Sequence, residues 1–351
     1  VHARTFAKLF AKYSAARALV RACTHICDSF LTCALRSAPF FAAVVRDSCK
    51  MAASAACQQR IALNDGRTMP SFGLGVWQAP LGQCSSAVLH ALRCGYRHID
   101  TAEVYGNEQD VGDALAIFLK ERPDVQREDV WVTTKFFPRH GLGRAAVIRA
   151  CRDSLRKLRL QYVDLYLIHA PHTRERLEQY RALEALRAEG LCRSIGVSNY
   201  GIHHLEELLA VCAVPPCVNQ VRGSASGAST PSTRRIFTGR VQPVHHTLAA
   251  ARVLRVQGYI LVEAYSPLAR AKKFRDPRLL DVARRCSLTP AQVMIRWCLQ
   301  RGCIVIPKSV TPARIEENAQ LGDAPLSAAD MNSLDALDEH FVTHWDPTRS
   351  P

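Results

Sequence analysis

The chain has 351 residues, of which 48% are hydrophobic, and it carries a formal net charge of +15. Its length is compatible with two domains or with one large α/β barrel. No uncharged apolar run reaches the roughly 18 residues that a membrane-spanning helix requires, so we expect a soluble protein without a membrane partner. The 14 cysteines include no CxxC pair, which favours reduced thiols over a disulfide framework.

Much of the positive charge lies near the amino terminus, where residues 1–60 hold nine Lys and Arg against two acids. No stripe of aromatic and basic residues accompanies this charge, so we expect no nucleic-acid partner.

Residues 1–58 are rich in Ala, Arg and Cys and have two interpretations. They form a transit peptide, or Met51 is the true start, which we favour. We therefore expect a basic extension that is disordered or absent from the mature protein. The expected location is cytoplasmic, with organellar targeting as the alternative.

A β-hairpin is predicted around the Asp65-Gly66 turn, and we expect it to cover the bottom of a barrel. Eight β-like segments follow, separated by helical patterns. The predicted strands are 71–76, 97–101, 130–135, 163–169, 194–199, 217–221, 260–266 and 303–309. The predicted helices are 85–94, 108–120, 144–159, 174–189, 202–212, 247–256, 276–286, 290–300, 312–319 and 327–337. Alternating strands and helices predict an α/β fold, and eight such units predict a (β/α)8 TIM barrel with an N-terminal β-hairpin.

Glycines shortly precede several predicted strands, where a helix C-cap favours a residue in the left-handed region. These are Gly95, Gly190, Gly258 and Gly302. One stretch departs from the pattern: residues 222–240 are a low-complexity Gly/Ser/Thr/Arg insertion after the sixth strand. It is either a flexible lid or an error in the gene prediction. We expect residues 59–351 to form a single reductase barrel that carries this insertion.

Polar residues capable of chemistry lie at or beside the carboxyl ends of six predicted strands. These residues are Asp100, Lys135, His169, Asn199, Gln220 and Lys308. In a parallel barrel this face carries the active site. Each residue taken singly has a structural explanation, such as a helix cap, a surface lysine or a core histidine. Their arrangement at successive strand ends favours a shared chemical role.

Seven segments in order resemble the aldo-keto reductase family. They are GYRHIDTAEVYGNE (95–108), VTTK (132–135), LYLIH (165–169), IGVSN (195–199), VNQ (218–220), AYSPL (264–268) and IPKS (306–309). The resemblance runs from about Arg60 to Asp338 and is interrupted only by the insertion, and seven ordered motifs make it specific. The chain is similar to the compact microbial and protist branch, which includes the trypanosomatid prostaglandin F synthase and 2,5-diketogluconate reductase types.

The resemblance implies a catalytic tetrad of Asp100, Tyr105, Lys135 and His169. Hydride transfer to a carbonyl creates an alkoxide that must be protonated, and a phenol with a pKa near 10 is a poor acid at pH 7. Lys135 can lower that pKa, with Asp100 holding the ammonium and Tyr105 donating the proton. His169 can donate a hydrogen bond to the carbonyl oxygen. This chemistry requires no metal, and we expect none.

The resemblance also implies NADPH/NADP+ as the cofactor. Lys308, Ser309 and Arg314 match residues that hold the 2′-phosphate, and Glu317 and Asn318 match residues that hold the adenine. Two cations and a hydroxyl around a phosphate favour NADPH over NADH. The other residues implied to bind the cofactor are Ser198, Asn199, Gln220, Tyr265, Ser266 and Leu268, with Tyr265 stacking on the nicotinamide. Trp77 and Phe137 are implied to line the substrate pocket. No GxGxxG fingerprint occurs, which argues against a Rossmann domain.

We expect NADPH-dependent reduction of small aldehydes and ketones by a monomer. The alternatives are a reductase specific for a prostaglandin or a keto sugar acid, and a non-catalytic cofactor sensor, against which a complete tetrad argues. Ala170-Pro171 replaces the Trp-Pro of many relatives, which widens the expected pocket. The insertion interrupts the family's usual run after Gln220, so we expect it to affect catalysis. We expect His98 to pack structurally and His203, His204, His245 and His246 to lie on helix surfaces.

Overall fold

The computed structural model describes residues 55–80, 82–223, 240–241 and 260–337. Residues 1–54 of the amino-terminal extension, the helix predicted at 247–256 and most of the insertion lie outside the described residues. The strands are Arg60–Ala62 (β1), Thr68–Pro70 (β2), Leu74–Gly75 (β3), His98–Asp100 (β4), Trp131–Phe136 (β5), Val163–Ile168 (β6), Cys192–Ser198 (β7), Val218–Arg222 (β8), Arg240–Val241 (β9), Ile260–Tyr265 (β10) and Ile304–Ile306 (β11).

Ten α-helices occur in the described residues, and the bounds of nine lie close to the predicted ones, whereas the first of them was not predicted. They are Ala55–Gln58 (α1), Cys84–Arg93 (α2), Glu108–Glu121 (α3), Arg144–Leu158 (α4), Arg176–Ala188 (α5), Ile202–Leu209 (α6), Pro277–Cys286 (α7), Pro290–Gln300 (α8), Pro312–Ala319 (α9) and Ala328–Asp335 (α10). Short 3-10 helices span Glu103–Tyr105, Arg127–Asp129 and Ala269–Ala271. None of the helices in the described part of the chain is long and apolar enough to cross a membrane.

Local sequence explains where several of these helices begin and end. Proline opens α7, α8 and α9, where its missing N–H costs nothing because the first helical N–H groups have no partner within the helix. Three of the predicted left-handed glycines are confirmed, with φ of 96° at Gly95, 78° at Gly190 and 75° at Gly302. The fourth, Gly258, lies outside the described residues.

The predicted barrel is confirmed. Eight parallel strands pair in the order β3-β4-β5-β6-β7-β8-β10-β11, and isolated bridges between Phe72 and Val305 and between Gly75 and Lys308 join the two ends. At this seam the backbone N–H of Gly73 donates to the carbonyl of Val305 at 2.9 Å. A Cβ at Gly75 would lie 3.0 Å from the carbonyl oxygen of Ile306, so the absence of a side chain there lets the closing strands approach.

The hairpin of β1 and β2 closes the amino-terminal end of the barrel, as predicted. The two strands pair antiparallel, with Ile61 opposite Met69. Buried Leu63 and Met69 belong to a separate apolar cluster with Trp131, Leu165, Leu167, Cys217, Val218, Leu261 and Ile304. Several of these residues are among the first of their strands, so the cluster is the floor of the barrel. Asp65 in the turn accepts a hydrogen bond from Ser194 Oγ at 2.6 Å and fixes the hairpin to β7.

The insertion starts later and ends earlier than predicted. Arg222 is the last residue of β8 and lies opposite Tyr265 in the sheet, and the N–H of Gly223 donates to the carbonyl of Tyr265 at 3.0 Å. At the other end, Arg240 and Val241 form β9, which pairs antiparallel with Leu261 and Ile260. The sheet therefore includes the first and last residues assigned to the insertion, because their backbone groups have partners on β10.

Candidate active site

The predicted tetrad meets at the carboxyl ends of three adjacent strands. Asp100 is the last residue of β4, Lys135 lies near the end of β5, and His169 directly follows β6. Tyr105 ends the 3-10 helix that follows β4. The β4–β5–β6 register places these strand ends side by side, which explains why residues distant in sequence share one site.

Lys135 is the centre of this arrangement. Its Nζ donates to Asp100 Oδ1 at 2.7 Å, to the carbonyl of Thr101 at 2.8 Å and to the hydroxyl of Tyr105 at 3.4 Å. The Lys135 side chain is fully buried. Three donated bonds satisfy a buried ammonium and fix its position. The aromatic ring of Tyr105 lies 5.6 Å from the imidazole of His169, edge to face.

The electrostatics of Tyr105 differ from the expectation. Burial raises the pKa of its phenol to about 12, and nearby Lys135 lowers that pKa without outweighing the burial. The phenol therefore holds its proton across the neutral range. Burial alone would lower the pKa of Lys135, but Asp100 and Tyr105 raise it above its usual value. Lys135 is thus a cation throughout the neutral range, and the charge next to the phenol is permanent.

His169 is an uncharged group in this site. Burial, followed by the charge of Lys135, lowers its pKa well below the usual value. A neutral imidazole carries one N–H and can donate one hydrogen bond to an oxygen atom. Phe137 packs edge to face against the same ring at 5.4 Å, and the backbone N–H of Phe137 donates to Glu103 Oε1 at 2.6 Å. These contacts fix the plane of the imidazole.

A second network joins the predicted nicotinamide residues. Tyr265 Oη donates to Asn199 Oδ1 at 2.9 Å, and Asn199 Nδ2 donates to the carbonyl of His169 at 2.9 Å. Ser198 Oγ donates to the carbonyl of Gln220 at 2.8 Å. Asn199 adopts a left-handed backbone with φ of 64°, which asparagine tolerates better than most residues. Asn199 Nδ2 also donates to Ser198 Oγ at 3.0 Å, so the side chains of Tyr265, Asn199 and Ser198 form one fixed wall.

Gln220 has more partners than the sequence indicated. Its Nε2 donates to Asp100 Oδ2 at 2.7 Å and to Glu263 Oε2 at 3.0 Å. Both amide hydrogens are used, so only its oxygen remains available to a ligand. Sequence reasoning missed Glu263, a fully buried acid in β10. The available signal was an ionisable residue inside an otherwise apolar strand, since such a residue is almost never buried without a partner.

Two cavities contain nearly all the other predicted residues. One, of about 370 Å³, is lined by the substrate-pocket residues Trp77 and Phe137, and by Asp100, Tyr105, His169, Ser198, Asn199, Gln220, Tyr265 and Ser266. The other, of about 550 Å³, is lined by Leu268, Ser309, Arg314, Glu317 and Asn318. Lys308 and Arg270 line both cavities, so the two adjoin. Together they form a cleft long enough to separate a reacting end from an anion-binding end.

The anion-binding end has the charge that a phosphate requires. Lys308 and Arg314 are exposed, and neither forms an ion pair with the residues that the structure describes. Buried Ser309 lies between them along the chain, and its Oγ accepts from the N–H of Thr311 at 3.1 Å. Two cations without a carboxylate partner and a fixed hydroxyl match a phosphate group. This part of the cleft therefore fits a phosphorylated cofactor.

Arg270 was also missed by sequence reasoning. Its guanidinium lies 5.1 Å from the ring of Trp77, and Nη2 donates to Gln78 Oε1 at 3.3 Å. The residue therefore connects the segment after β10 with the segment after β3. Ala269, Arg270 and Ala271 all have φ between 46° and 61°, a left-handed run that L-residues rarely adopt. No sequence motif signalled this backbone.

Two predictions about histidines are resolved. His98 is fully buried and packs as a structural residue, with Nε2 3.3 Å from Thr133 Oγ1, as predicted. His204 was expected on a helix surface, and this was wrong. It is fully buried, and its Nδ1 accepts a hydrogen bond from the N–H of Gly201 at 3.0 Å, which caps α6. His203 is exposed as predicted, whereas other predicted surface histidines lie outside the described residues.

Comparison with known proteins gives a consistent result. Residues 71–339 match the model of the Aldo/keto reductase family. The chain is 40% identical over 294 residues to the uncharacterized oxidoreductase YtbE of Bacillus subtilis, covering 83% of this chain and 96% of that one. It is 38% identical over 287 residues to the methylglyoxal reductase DkgA of Escherichia coli, covering 80% and 93%. A crystal structure of a Bombyx mori aldo-keto reductase in complex with NADP matches with a TM-score of 0.70 and 31% identity, covering 82% and 94%.

Proposed function

The chain belongs to the aldo/keto reductase family, and from this premise we propose that it reduces aldehydes and ketones to alcohols, with NADPH as hydride donor and Tyr105 as proton donor. The family relationship makes it an NADP-dependent oxidoreductase. The observation that supports the reaction is the contact of Lys135 with both Asp100 and Tyr105 in the wall of the cleft.

The tetrad supplies the proton and stabilises the charge that remains. Bound NADPH would supply the hydride to the carbonyl carbon, and the electron pair of the C=O π bond moves to oxygen. Tyr105 Oη then gives its proton to that oxygen, which yields the alcohol and leaves a phenolate. Lys135 stabilises this phenolate at 3.4 Å, and Asp100 keeps the ammonium in place. The ammonium of Lys135 therefore acts mainly on the negative charge that develops on Tyr105 once its proton begins to transfer.

His169 orients the substrate in this proposal. Its neutral imidazole can donate one hydrogen bond to the carbonyl oxygen, and a charged imidazolium would compete with Lys135. Trp77 and Phe137 form apolar surfaces beside it. The absence of an indole at Ala170 leaves room on this side, although Ala170 itself is buried. This arrangement favours activity on a range of small carbonyl compounds over activity on one specific substrate.

The cofactor residues divide along the cleft. Lys308, Ser309 and Arg314 would hold the 2′-phosphate, and Glu317 and Asn318 the adenine. The nicotinamide end would contact Ser198, Asn199, Gln220, Tyr265, Ser266 and Leu268, with the ring of Tyr265 as the stacking surface. Because both amide hydrogens of Gln220 are used within the protein, its oxygen would accept from the carboxamide N–H. The 2′-phosphate contacts favour NADPH over NADH.

The proposed reductase unit is residues 59–351, and the buried Cys57 of α1 packs against its core. The matched family region begins at residue 71, and the floor hairpin accounts for the residues just before it. The unit acts as a monomer on a small-molecule carbonyl.

The function is tested by measuring NADPH consumption with a panel of carbonyl compounds. The panel contains methylglyoxal, because one relative carries that activity in its name, together with other aldehydes, ketones and keto sugar acids. The Tyr105→Phe variant should bind NADPH normally and lose activity by at least about 10²-fold, the contribution typical of general acid catalysis. Tyr162→Phe, a change at a half-buried residue just before the amino-terminal end of β6, is the control. Turnover by Tyr105→Phe close to that of the parent protein would contradict the role of Tyr105.

A further inference from the structure

A carboxyl group lies inside the barrel beside the tetrad, and the reaction described above does not use it. Glu263 is fully buried in the middle of β10. Its Oε2 accepts a hydrogen bond from Gln220 Nε2 at 3.0 Å, and the same nitrogen donates to Asp100 Oδ2 at 2.7 Å. Its Oε1 lies 3.4 Å from His98 Nε2. Gln220 is therefore held between two carboxyl groups.

The charges around Glu263 do not balance if both carboxyl groups are ionised. The titratable groups that face it are Asp100 and His98 on β4, Lys135 on β5, and the Cys217 thiol at the start of β8. Its register partner on β11 is apolar Ile304. Lys135 contacts Asp100 directly and is the only cation among these groups when His98 is neutral. A second buried anion would have no counter-charge, which is costly in a dry interior.

The titration behaviour agrees with this reasoning. Burial, followed by the negative charge of Asp100, raises the pKa of Glu263 to about 8. Burial lowers the pKa of His98 to about 3, so its imidazole is neutral. Protonated Glu263 has one O–H, and the neutral His98 nitrogen at 3.4 Å is the adjacent acceptor.

We propose that Glu263 is a positioning residue that acts in its neutral form, by holding the Gln220 amide and leaving Asp100 as the sole anion facing Lys135. Ionisation of Glu263 would place a second negative charge beside Asp100 and attract the same ammonium. Loss of the group would free one hydrogen of the Gln220 amide and allow that amide to rotate away from the nicotinamide. The inference rests on the proposed function, because it assigns Gln220 to the cofactor.

Two variants separate charge from hydrogen bonding. Glu263→Gln keeps a neutral group that can accept from Gln220, whereas Glu263→Met keeps the volume and removes the acceptor. We expect Glu263→Met to weaken NADPH binding and kcat/KM by roughly tenfold or more, the effect of leaving a buried donor unpaired. Glu263→Gln should recover most of this loss. The kcat/KM of the parent protein, measured from pH 6 to pH 9, should fall as pH rises through about 8, because ionised Glu263 would compete with Asp100 for Lys135, whereas that of Glu263→Gln should not.

NADPH affinity is measured by fluorescence titration from pH 6 to pH 9, with thermal melting to establish that each variant is folded. A folded Glu263→Gln variant as impaired as Glu263→Met would overturn the proposal, because it would show that the ionised carboxylate is required. Unchanged affinity in Glu263→Met would overturn it also. Affinity for NADPH does not depend on turnover, so this test stands even if no carbonyl in the panel is reduced, the result that would refute the proposed function.

A different observation carries a second inference, outside the active site. His90 lies in the last turn of α2, Cys94 is the residue directly after that helix, and Glu316 reaches both from α9. His90 Nε2 lies 2.9 Å from Glu316 Oε1 and 3.4 Å from Cys94 Sγ, and all three atoms lie within 4.8 Å of one another. In the part of the chain that the structure describes, this is the one group of three metal-ligand side chains that converge in this way.

The three side chains fit the chemistry of zinc. Imidazole, thiolate and carboxylate are its usual protein ligands, at about 2.0–2.3 Å from the ion, which places ligand atoms roughly 3.3–3.7 Å apart in a tetrahedral site. The observed separations need only small adjustments. All three residues are half-buried, so a fourth position remains open to water. Sequence spacing could not show this group, because His90 and Glu316 lie 226 positions apart.

We also infer that His90, Cys94 and Glu316 form a site for one Zn²⁺ ion that links α2 to α9. The second helix also carries Arg314, Glu317 and Asn318, which line the anion-binding end of the cleft. An ion held between the helices would fix α9 in place. The Tyr96 hydroxyl already donates to the carbonyl of Ile315 at 2.8 Å, so the metal would reinforce an existing contact.

Cobalt and zinc titrations of the full chain test this site. Cobalt(II) should produce a thiolate-to-metal charge-transfer band, and a chromophoric chelator in competition should report one equivalent of bound zinc more in the parent protein than in Cys94→Ser. Cys212→Ser, another half-buried cysteine, is the matched control and should bind as the parent does. His90→Gln provides a second variant if Cys94→Ser is unstable. Equal zinc binding by the parent and both site variants would overturn the inference and leave an ordinary ion pair between His90 and Glu316.

Discussion

At the scale of single residues, the site separates a permanent charge from a mobile proton. Lys135 is held by three acceptors and does not titrate near neutral pH, whereas Tyr105 keeps its proton until a developing alkoxide takes it. Burial raises the pKa of the phenol, and this opposes the effect of the lysine. A weaker acid also holds its proton more firmly before the reaction. The lysine is therefore needed most for the phenolate that forms during the reaction.

Residue-scale predictions from sequence succeeded where a strand end fixed the position. Asp100, Lys135 and His169 could be placed by counting strands, because parallel strands present their carboxyl ends on one face. Tyr105 is the last residue of a short 3-10 helix and was identified through the family resemblance alone. The second partner of Gln220 was not foreseen, because Glu263 lies beside it on the neighbouring strand β10, 43 positions later in the sequence.

The cofactor preference depends on Arg314. Replacing it with alanine removes a cation whose proposed partner is the 2′-phosphate. A charge-assisted contact of about 1.5–3 kcal/mol predicts roughly ten- to a hundredfold weaker NADPH binding and nearly unchanged NADH binding. Fluorescence titration with each cofactor measures both effects. Arg152→Ala, an exposed change on α4 that removes only a surface ion pair with Glu189, is the control. An equal loss for NADPH and NADH would mean that Arg314 supports the fold.

Glu263 should also make the stability of the fold depend on pH. A carboxyl that ionises near 4.5 in the unfolded chain and at about 8 in the folded one takes up a proton on folding between these values. Its stabilising contribution is complete below 4.5 and is lost as pH rises through 8. The free energy of unfolding of Glu263→Gln minus that of the parent should therefore increase steadily across this window.

Urea unfolding at several pH values measures this difference. Glu206→Gln, an exposed change on α6, is the matched control. A difference for Glu263→Gln that is flat with pH would show that Glu263 is ionised in the folded protein across the whole range.

At the scale of elements, the apolar cluster that stabilises the barrel floor and the residues proposed for the reaction lie at opposite ends of the strands. The floor cluster under the hairpin lies at the amino-terminal ends of the strands, and the tetrad lies at the carboxyl ends. Strand positions were predictable because each strand is a short apolar run bounded by glycine or polar residues. Strand ends shifted by one to three residues, as at Ile304–Ile306, where regular pairing ends at Ile306 and only the isolated bridge of Lys308 with Gly75 follows. The pairing of β9 with β10 had no sequence signal, since two residues carry no periodicity.

The floor hairpin gives a prediction at this scale. Met69 on β2 is fully buried against the floor cluster, so Met69→Ala should lower the free energy of unfolding by about 2–5 kcal/mol. NADPH affinity should be unchanged, because the cavity opens at the far end of the barrel. Thr68→Ala, an exposed change on the same strand, should cost less than about 1 kcal/mol. A small effect of Met69→Ala in urea unfolding would contradict the assignment of the hairpin as the floor.

At the scale of the whole molecule, the connection between β8 and β10 limits what can be removed. Gly223 hydrogen-bonds at the Tyr265 end of β10, whereas Arg240 pairs with Leu261 near its start. Leu261 also pairs with Val218 of β8, so β9 lies on the opposite edge of β10. Gly223 and Arg240 are therefore about 13 Å apart along the strands and about 10 Å apart across them, which is roughly 16 Å in a straight line. At about 3.3 Å per residue, a linker that joins them needs at least about five residues.

Replacing residues 224–239 with an eight-residue Gly/Ser linker should therefore preserve the barrel and its NADPH affinity. The linker is about half as long as the segment that it replaces, so loop closure should favour it by only about 0.6 kcal/mol. Arg222 and Gly223 remain, because both have partners on β10 or across the barrel face. NADPH titration and thermal melting compare the two proteins. A linker variant that melts normally yet no longer binds NADPH would contradict this prediction. Because the strand end that holds Gln220 would be intact in that variant, the loss would show that residues 224–239 belong to the cofactor site as a lid.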